Sequence, residues 1–209
     1  MATYAATLAV NAERDPVLVP ARPCLHEARN RILNDQDGRY VSASRAEKKR
    51  LMASALRLVA CFTLCFAVAL AGALVTRPEI PGWYALLSKP AWTPPNWVFP
   101  AAWNILYALM AISLWRLWER SREGAAGAGR AISLFLLQLA FNAAWSPIFF
   151  GLHAIRWGLA IIVVLAMVVA ATIAAAYRVD RSAALLLVPY LGWILYASSL
   201  NAGIAIFNR

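Results

Sequence analysis

The chain is poor in charge, and poorest in acids. Of its 209 residues, 14% are charged, against about 25% in an ordinary soluble domain. Residues 51–209 hold 11 Lys and Arg but only four acids: Glu79, Glu119, Glu123 and Asp180. This scarcity argues against a soluble globule. A hydrophobic content of 62% argues equally against a wholly disordered chain. Histidine is limited to His26 and His153, and cysteine to Cys24, Cys61 and Cys65. These give neither a disulfide framework nor metal-ligand spacing. Cys61 and Cys65 lie one helical turn apart in an apolar run and read as small packed hydrophobes. The alternating segments of about ten residues that build a membrane β-barrel are missing too. The net charge of +10 does not point to nucleic acid, because the basic residues stand singly between long uncharged runs.

Five runs contain no Asp, Glu, Lys or Arg: 58–75, 97–115, 131–155, 157–177 and 182–208. A membrane-spanning helix needs about 20 mostly apolar residues. The chain is therefore expected to be an all-α membrane protein, a five-transmembrane-helix bundle over residues 51–209. The spans fall at about 56–76, 97–117, 131–152, 157–177 and 183–207. Short connections make consecutive spans antiparallel neighbours. The exception is the first connection, 76–96, which holds Pro78, Pro81, Pro90, Pro94 and Pro95 and so cannot be one regular helix. A Gly-rich stretch, 123–130, reads as a flexible loop.

Residues 1–50 lack tryptophan and any sustained apolar run. They read as a disordered, basic N-terminal extension, with Arg45 to Arg50 anchoring it at the membrane surface. No apolar core with a cleavage site opens the chain, so a signal peptide does not fit. With this end cytoplasmic, eleven basic residues flank the spans on that side. The opposite side has four: Arg77, Lys89, Arg156 and Arg209. The positive-inside rule favours that orientation, with the Pro-rich connection in the opposite compartment.

All nine tryptophans lie within residues 83–193. Trp83, Trp115, Trp118 and Trp157 stand at segment ends and suit an interfacial belt. Trp103, Trp145 and Trp193 do not. In the third span Gln138, Asn142 and Trp145 share one helical face. An amide in hydrocarbon needs a hydrogen-bond partner, so this face should look into the bundle. It could serve interhelical bonding, a ligand cavity, or both. Trp193, Ala197, Leu200 and Asn201 form a second stripe, behind Pro189 and Tyr190. Trp103 and Tyr107 form a third. Such walls suit a planar, largely apolar ligand. No catalytic set appears, and the lack of ionisable groups within the spans argues against a pump.

The motifs resemble those of the TSPO family, the translocator or tryptophan-rich sensory proteins (TspO/MBR). They run from Gly82-Trp83-Tyr84 and Lys89-Pro90-Ala91-Trp92 through Thr93-Pro94-Pro95-Asn96-Trp97 and Pro100-Ala101-Ala102-Trp103 to Tyr107. They resume at Gln138 to Asn142, Trp145 to Gly151, Pro189-Tyr190-Leu191-Gly192-Trp193 and Leu200-Asn201. The resemblance covers about residues 56–208. It implies a five-helix bundle enclosing a ligand pocket, with the first connection as its lid. It requires no cofactor and implies porphyrin or haem as ligand, together with benzodiazepine-site compounds. Trp92, Asn142, Trp145, Ala197 and Leu200 match pocket positions. Trp103 and Trp193 match the tryptophans tied to light-dependent porphyrin breakdown in some members. The expected ligand-binding set is thus Trp92, Trp103, Tyr107, Gln138, Asn142, Trp145, Tyr190, Trp193, Ala197 and Leu200, with Trp103 and Trp193 catalytic if porphyrin is degraded. Arg77 and Lys89 are candidates for meeting propionates at the pocket mouth.

Expected partners are the lipid bilayer and a tetrapyrrole, with no metal and no nucleic acid. A homodimer would use small-residue pairs such as Ala140 and Ala144. No tyrosine stands between Leu200 and Arg209, which counts against the sterol motif of animal members. Three functions stay open: a binding and sensory protein that sequesters or regulates porphyrin, a light-dependent porphyrin-degrading enzyme, and a porphyrin or sterol transporter.

Overall fold

A computed structural model describes residues 22–208. The chain divides into two compact units, Met1–Arg50 and Leu51–Arg209. Helix α1 (Arg22–Glu79) begins in the first unit and ends in the second.

The expected disordered extension corresponds to the first unit. Residues 1–21 lie outside the described residues. Residues 22–50 are helical, and every side chain there whose burial is described is exposed. The local reason for helix is plain: no proline falls between Pro23 and Pro78, and good helix formers dominate 43–50.

The second unit is the membrane bundle. Five helical stretches are long and apolar enough to span a bilayer: Ser42–Glu79, Val98–Arg122, Ala128–Gly151, Ile155–Tyr177 and Arg181–Phe207. The last four begin or end within a few residues of the expected bounds. The elements after α1 are α2 (Trp83–Leu86), α3 (Val98–Arg122), α4 (Ala128–Ser146), a π-helical turn (Pro147–Gly151), α5 (Ile155–Tyr177) and α6 (Arg181–Phe207). Consecutive pairs α3–α4, α4–α5 and α5–α6 pack together as short connections require. The pair α3–α6 closes the ring.

Within this ring, Met110, Phe135, Leu165, Val169, Leu187, Tyr190 and Ile194 are buried, with Cys61 and Cys65 of α1 against them. Lipid offers little hydrophobic drive for helix association, so close packing and internal polar bonds must hold the helices together. Near the start of α6 the packing is by small residues, Ala131, Ala176, Ala183 and Ala184, around Leu117. There Ser113 Oγ donates across the interface to the Ala183 carbonyl at 2.8 Å.

Two charge clusters secure the same end. Asp180 precedes α6 and accepts from the Ala183 N–H at 2.9 Å, an N-cap. Its carboxylate also receives Arg116 at 2.9 Å and Arg120 at 3.2 Å, both from α3. Burial pushes the Asp180 carboxyl up, but the Ala183 N–H and the two guanidinium groups outweigh it and hold it below the usual carboxylate range. Glu119 pairs bidentately with Arg57 of α1, at 2.7 and 3.0 Å, and accepts from Ser54 at 2.9 Å. Trp115 Nε1 donates to Ser54 Oγ at 3.2 Å. Trp115 lies about two turns inside the end of α3 and is tied into this cluster, whereas Trp118 and Trp157 are exposed as belt residues would be.

Candidate ligand cavity

At the other end the helices part around a cavity of about 610 Å³. Ligand pockets typically measure ~300–1,000 Å³. Every element of the bundle contributes to it. On α1 the wall is small, with Ala69, Gly72 and Ala73 leading to Thr76 and Arg77. Phe99, Pro100, Trp103, Asn104 and Tyr107 come from α3, and Asn142, Trp145 and Ser146 from α4. The segment from Ala69 to Arg77 spans eight residue steps, so the cavity is about 12 Å deep along α1 at ~1.5 Å per residue.

The π-helical turn has a sequence cause. Pro147 lacks an N–H and cannot continue the α-helical pattern. The chain widens by one residue, and Leu152 N–H donates to the Pro147 carbonyl five residues back at 2.9 Å. The wider turn buries the adjacent Phe149 and Phe150 together, and both line the cavity. Phe149 stacks on Trp145, with ring centroids 5.0 Å apart and planes 13° apart.

On the facing side Trp103 meets Trp193 edge-on, centroids 6.4 Å apart at 82°. It also contacts Tyr107 at 5.5 Å and Tyr190 at 6.3 Å. The floor is polar but already satisfied. Tyr107 Oη donates to Asn142 Oδ1, and Asn142 Nδ2 donates to Tyr190 Oη at 2.9 Å. These bonds join α3, α4 and α6. Asn201, with its amide oriented to satisfy both ends, accepts from the Leu159 N–H at 2.9 Å and donates to the Ile155 carbonyl at 3.1 Å. The indole N–H groups of Trp145 and Trp193 are buried without a protein partner among the described residues. A buried unmet donor costs about 1–3 kcal/mol, and neither N–H is open to the cavity.

The Pro-rich connection supplies Ile80, Tyr84 and Asn96 to the wall and is fastened at several points. Asn208 receives the Ser88 N–H at 3.0 Å and donates to its carbonyl at 2.9 Å. Tyr196 Oη donates to the Trp92 carbonyl at 2.8 Å. Pro90 sits so close to α6 that a Cβ on Gly203 would fall 2.3 Å from its Cγ. On the opposite flank Trp83 stacks on His153 at 4.2 Å, and His153 Nε2 contacts Glu79 Oε2 at 2.9 Å. His153 has a left-handed backbone, φ 53°, and is a turn residue, as its position between spans suggests. Burial pushes the Tyr84 hydroxyl above its ordinary range.

Of the expected ligand residues, Trp103, Tyr107, Asn142, Trp145, Trp193, Ala197 and Leu200 line the cavity. Three stand elsewhere. Trp92 lies on the connection, half exposed, with its carbonyl held by Tyr196. Tyr190 is fully buried behind the wall, where it holds Asn142. Gln138 is buried one turn from Asn142, away from the wall, with neither amide atom bonded to the described residues. Helical spacing gives a face but not a depth, which is why Gln138 and Asn142 read alike in sequence. Phe99, Asn104 and Phe149 were missed as wall residues, whereas Asn201 lines the cavity as its stripe with Trp193 suggests. The i, i+4 and i+7 positions from Trp145 and Asn142 would have found Phe149.

A sequence profile of the TspO/MBR family matches residues 61–207. The chain is 42% identical over 153 residues to a "Tryptophan-rich protein TspO" from Archaeoglobus fulgidus, covering 73% of this chain and 97% of the relative. It is 42% identical over 137 residues to a "Tryptophan-rich sensory protein" from Cereibacter sphaeroides, covering 66% and 82%. Against the human "Translocator protein" it is 40% identical over 119 residues, covering 57% and 70%. With its five apolar helices, the chain is a multi-pass membrane protein and belongs to the TspO/MBR family.

Proposed function

We propose that this protein binds tetrapyrroles, protoporphyrin IX or haem, and acts by sequestering or sensing them; benzodiazepine-site compounds would occupy the same space. The observation that carries the reading is the cavity wall. Trp103, Trp145 and Trp193 flank a space of about 610 Å³. Aromatic contacts add about 0.5–1.5 kcal/mol each beyond area burial. The N-terminus is assigned to the cytoplasmic side on eleven basic residues against four, with the Pro-rich connection on the other side.

Titration of purified protein with protoporphyrin IX, followed by tryptophan quenching, tests the reading. Saturable quenching, weakened about tenfold in the Trp103→Phe/Trp193→Phe double variant, is the expected result. Unchanged affinity in that variant would remove the ligand from this wall.

A second reading, light-dependent porphyrin degradation, is favoured by the edge-on contact of Trp103 with Trp193 on the cavity wall. In that case the protein orients and shields a ligand whose own photochemistry does the work. A product band that appears under illumination and is lost in Trp193→Phe, with binding retained, would mark catalysis. Photobleaching alone would exclude it.

A further inference from the structure

We propose that Arg77 is an anion subsite of the cavity, so that the protein selects planar amphiphiles carrying a carboxylate over their neutral counterparts. The proposal rests on the reading of this cavity as the ligand site. Among the described residues Arg77 is the one charged side chain on the wall. It belongs to the last turn of α1, at the end of the cavity where the Pro-rich connection contributes Ile80 and Tyr84.

The charges around Arg77 are committed elsewhere. Glu79, two residues on, is paired with His153 at 2.9 Å. Lys89, the other candidate cation for this mouth, is folded onto α2. Its Nζ donates to the Leu87 carbonyl at 3.2 Å and the Ala85 carbonyl at 3.3 Å, and lies 4.7 Å from the Tyr84 ring centroid. It is not on the wall. Arg77 itself has no hydrogen-bond or ion-pair partner among the described residues. The amide of Asn142, which sequence spacing nominates for polar ligand contact, spends both ends on Tyr107 and Tyr190. The other polar side chains on the wall include those of Thr76, Asn96, Asn104 and Ser146.

The arrangement discriminates between ligands by what each does to the guanidinium. A neutral body filling the cavity strips water from one side of Arg77 and gives nothing back. A carboxylate at the same level forms a charge-assisted, bidentate pair. The cavity is therefore two-ended: a closed, internally bonded polar floor, an aromatic middle, and a cationic mouth.

The experiment compares acid and ester probes in a neutral detergent. Protoporphyrin IX is titrated beside its dimethyl ester, and pyrenebutyric acid beside its methyl ester. The proteins are wild type, Arg77→Gln and Arg77→Lys. Wild type should bind each acid about tenfold more tightly than its ester. Arg77→Gln should abolish that preference by weakening the acids without weakening the esters, which no longer desolvate a charge, and Arg77→Lys should restore part of it. The wild-type preference should shrink as salt rises, because Arg77 is exposed. An acid-to-ester ratio that Arg77→Gln leaves unaltered, or that salt does not move, overturns the proposal. So does failure of every probe to bind. If the pyrene pair shows the Arg77-dependent ratio and neither porphyrin binds, the anion subsite stands and the tetrapyrrole reading falls.

Discussion

The two ends of the bundle are built from opposite materials. At the Asp180 end, charges meet charges. Asp180 caps α6 and gathers Arg116 and Arg120, Glu119 clasps Arg57, and alanines bring α5 and α6 close beneath Leu117. At the other end the helices stand apart around a cavity walled by tryptophan and phenylalanine. The connection beside it is held by amide, hydroxyl and ring contacts. One end has its carboxylates paired and little space. The other keeps two indole N–H groups and one guanidinium unmet. In a bilayer, where apolar burial contributes little to helix association, such a division lets one end fix the fold while the other accommodates a guest.

Four changes probe the division, in falling order of expected effect. Asp180→Asn keeps an oxygen able to cap α6 but removes the buried charge that joins it to Arg116 and Arg120 of α3. It should cost about 2–3 kcal/mol, seen as a lower unfolding midpoint in detergent, with porphyrin affinity per folded molecule unchanged. Gly203→Ala places a methyl 2.3 Å from Pro90 Cγ. The connection must shift, at about 1–2 kcal/mol, and here the loss should appear in ligand affinity and off-rate. A fall in thermal stability alone would erase the contrast.

The third change is acidification. The folded-state pKa of Asp180 lies below its ordinary value, so the folded protein binds fewer protons than the unfolded one as pH falls through the carboxylate range. Its contribution is therefore complete above about pH 4 and declines as pH drops through the folded pKa. Wild type should lose midpoint over that window, and Asp180→Asn should lose less. Equal losses would show that other carboxylates govern acid stability. The smallest effect is expected for Ser113→Ala, which removes one interhelical bond to Ala183 and should cost about 0.5–1 kcal/mol, without changing ligand binding.

The bundle was legible because a charge-free run of about 20 residues has few other fates. The ring order was less so: α3 meets α6 through Ser113, Arg116 and Asp180, and nothing in the loops announces that pairing. In the cavity, the Trp103–Tyr107 and Trp193–Ala197–Leu200 stripes follow directly from helical spacing. Gln138 and Tyr190 were assigned to the wall but stand behind it, because periodicity marks a face without saying how far along the helix the cavity extends. Phe149 was within reach of the same spacing from Trp145 and Asn142, whereas Phe150 joins it on the wall only through the π-helical turn at Pro147. Arg77 was identified only as one of two cations near the mouth. The choice between it and Lys89 depends on how Lys89 folds over Tyr84, a tertiary detail with no local signature.

The separation of a stabilising end from the proposed binding end is tested most directly by one pair of titrations. Protoporphyrin IX affinity is measured by tryptophan quenching in Trp103→Phe/Trp193→Phe and in Asp180→Asn, each corrected for its folded fraction. Affinity should fall about tenfold in the tryptophan variant and stay at the wild-type value in Asp180→Asn. Equal losses in both, or a loss confined to Asp180→Asn, would contradict it.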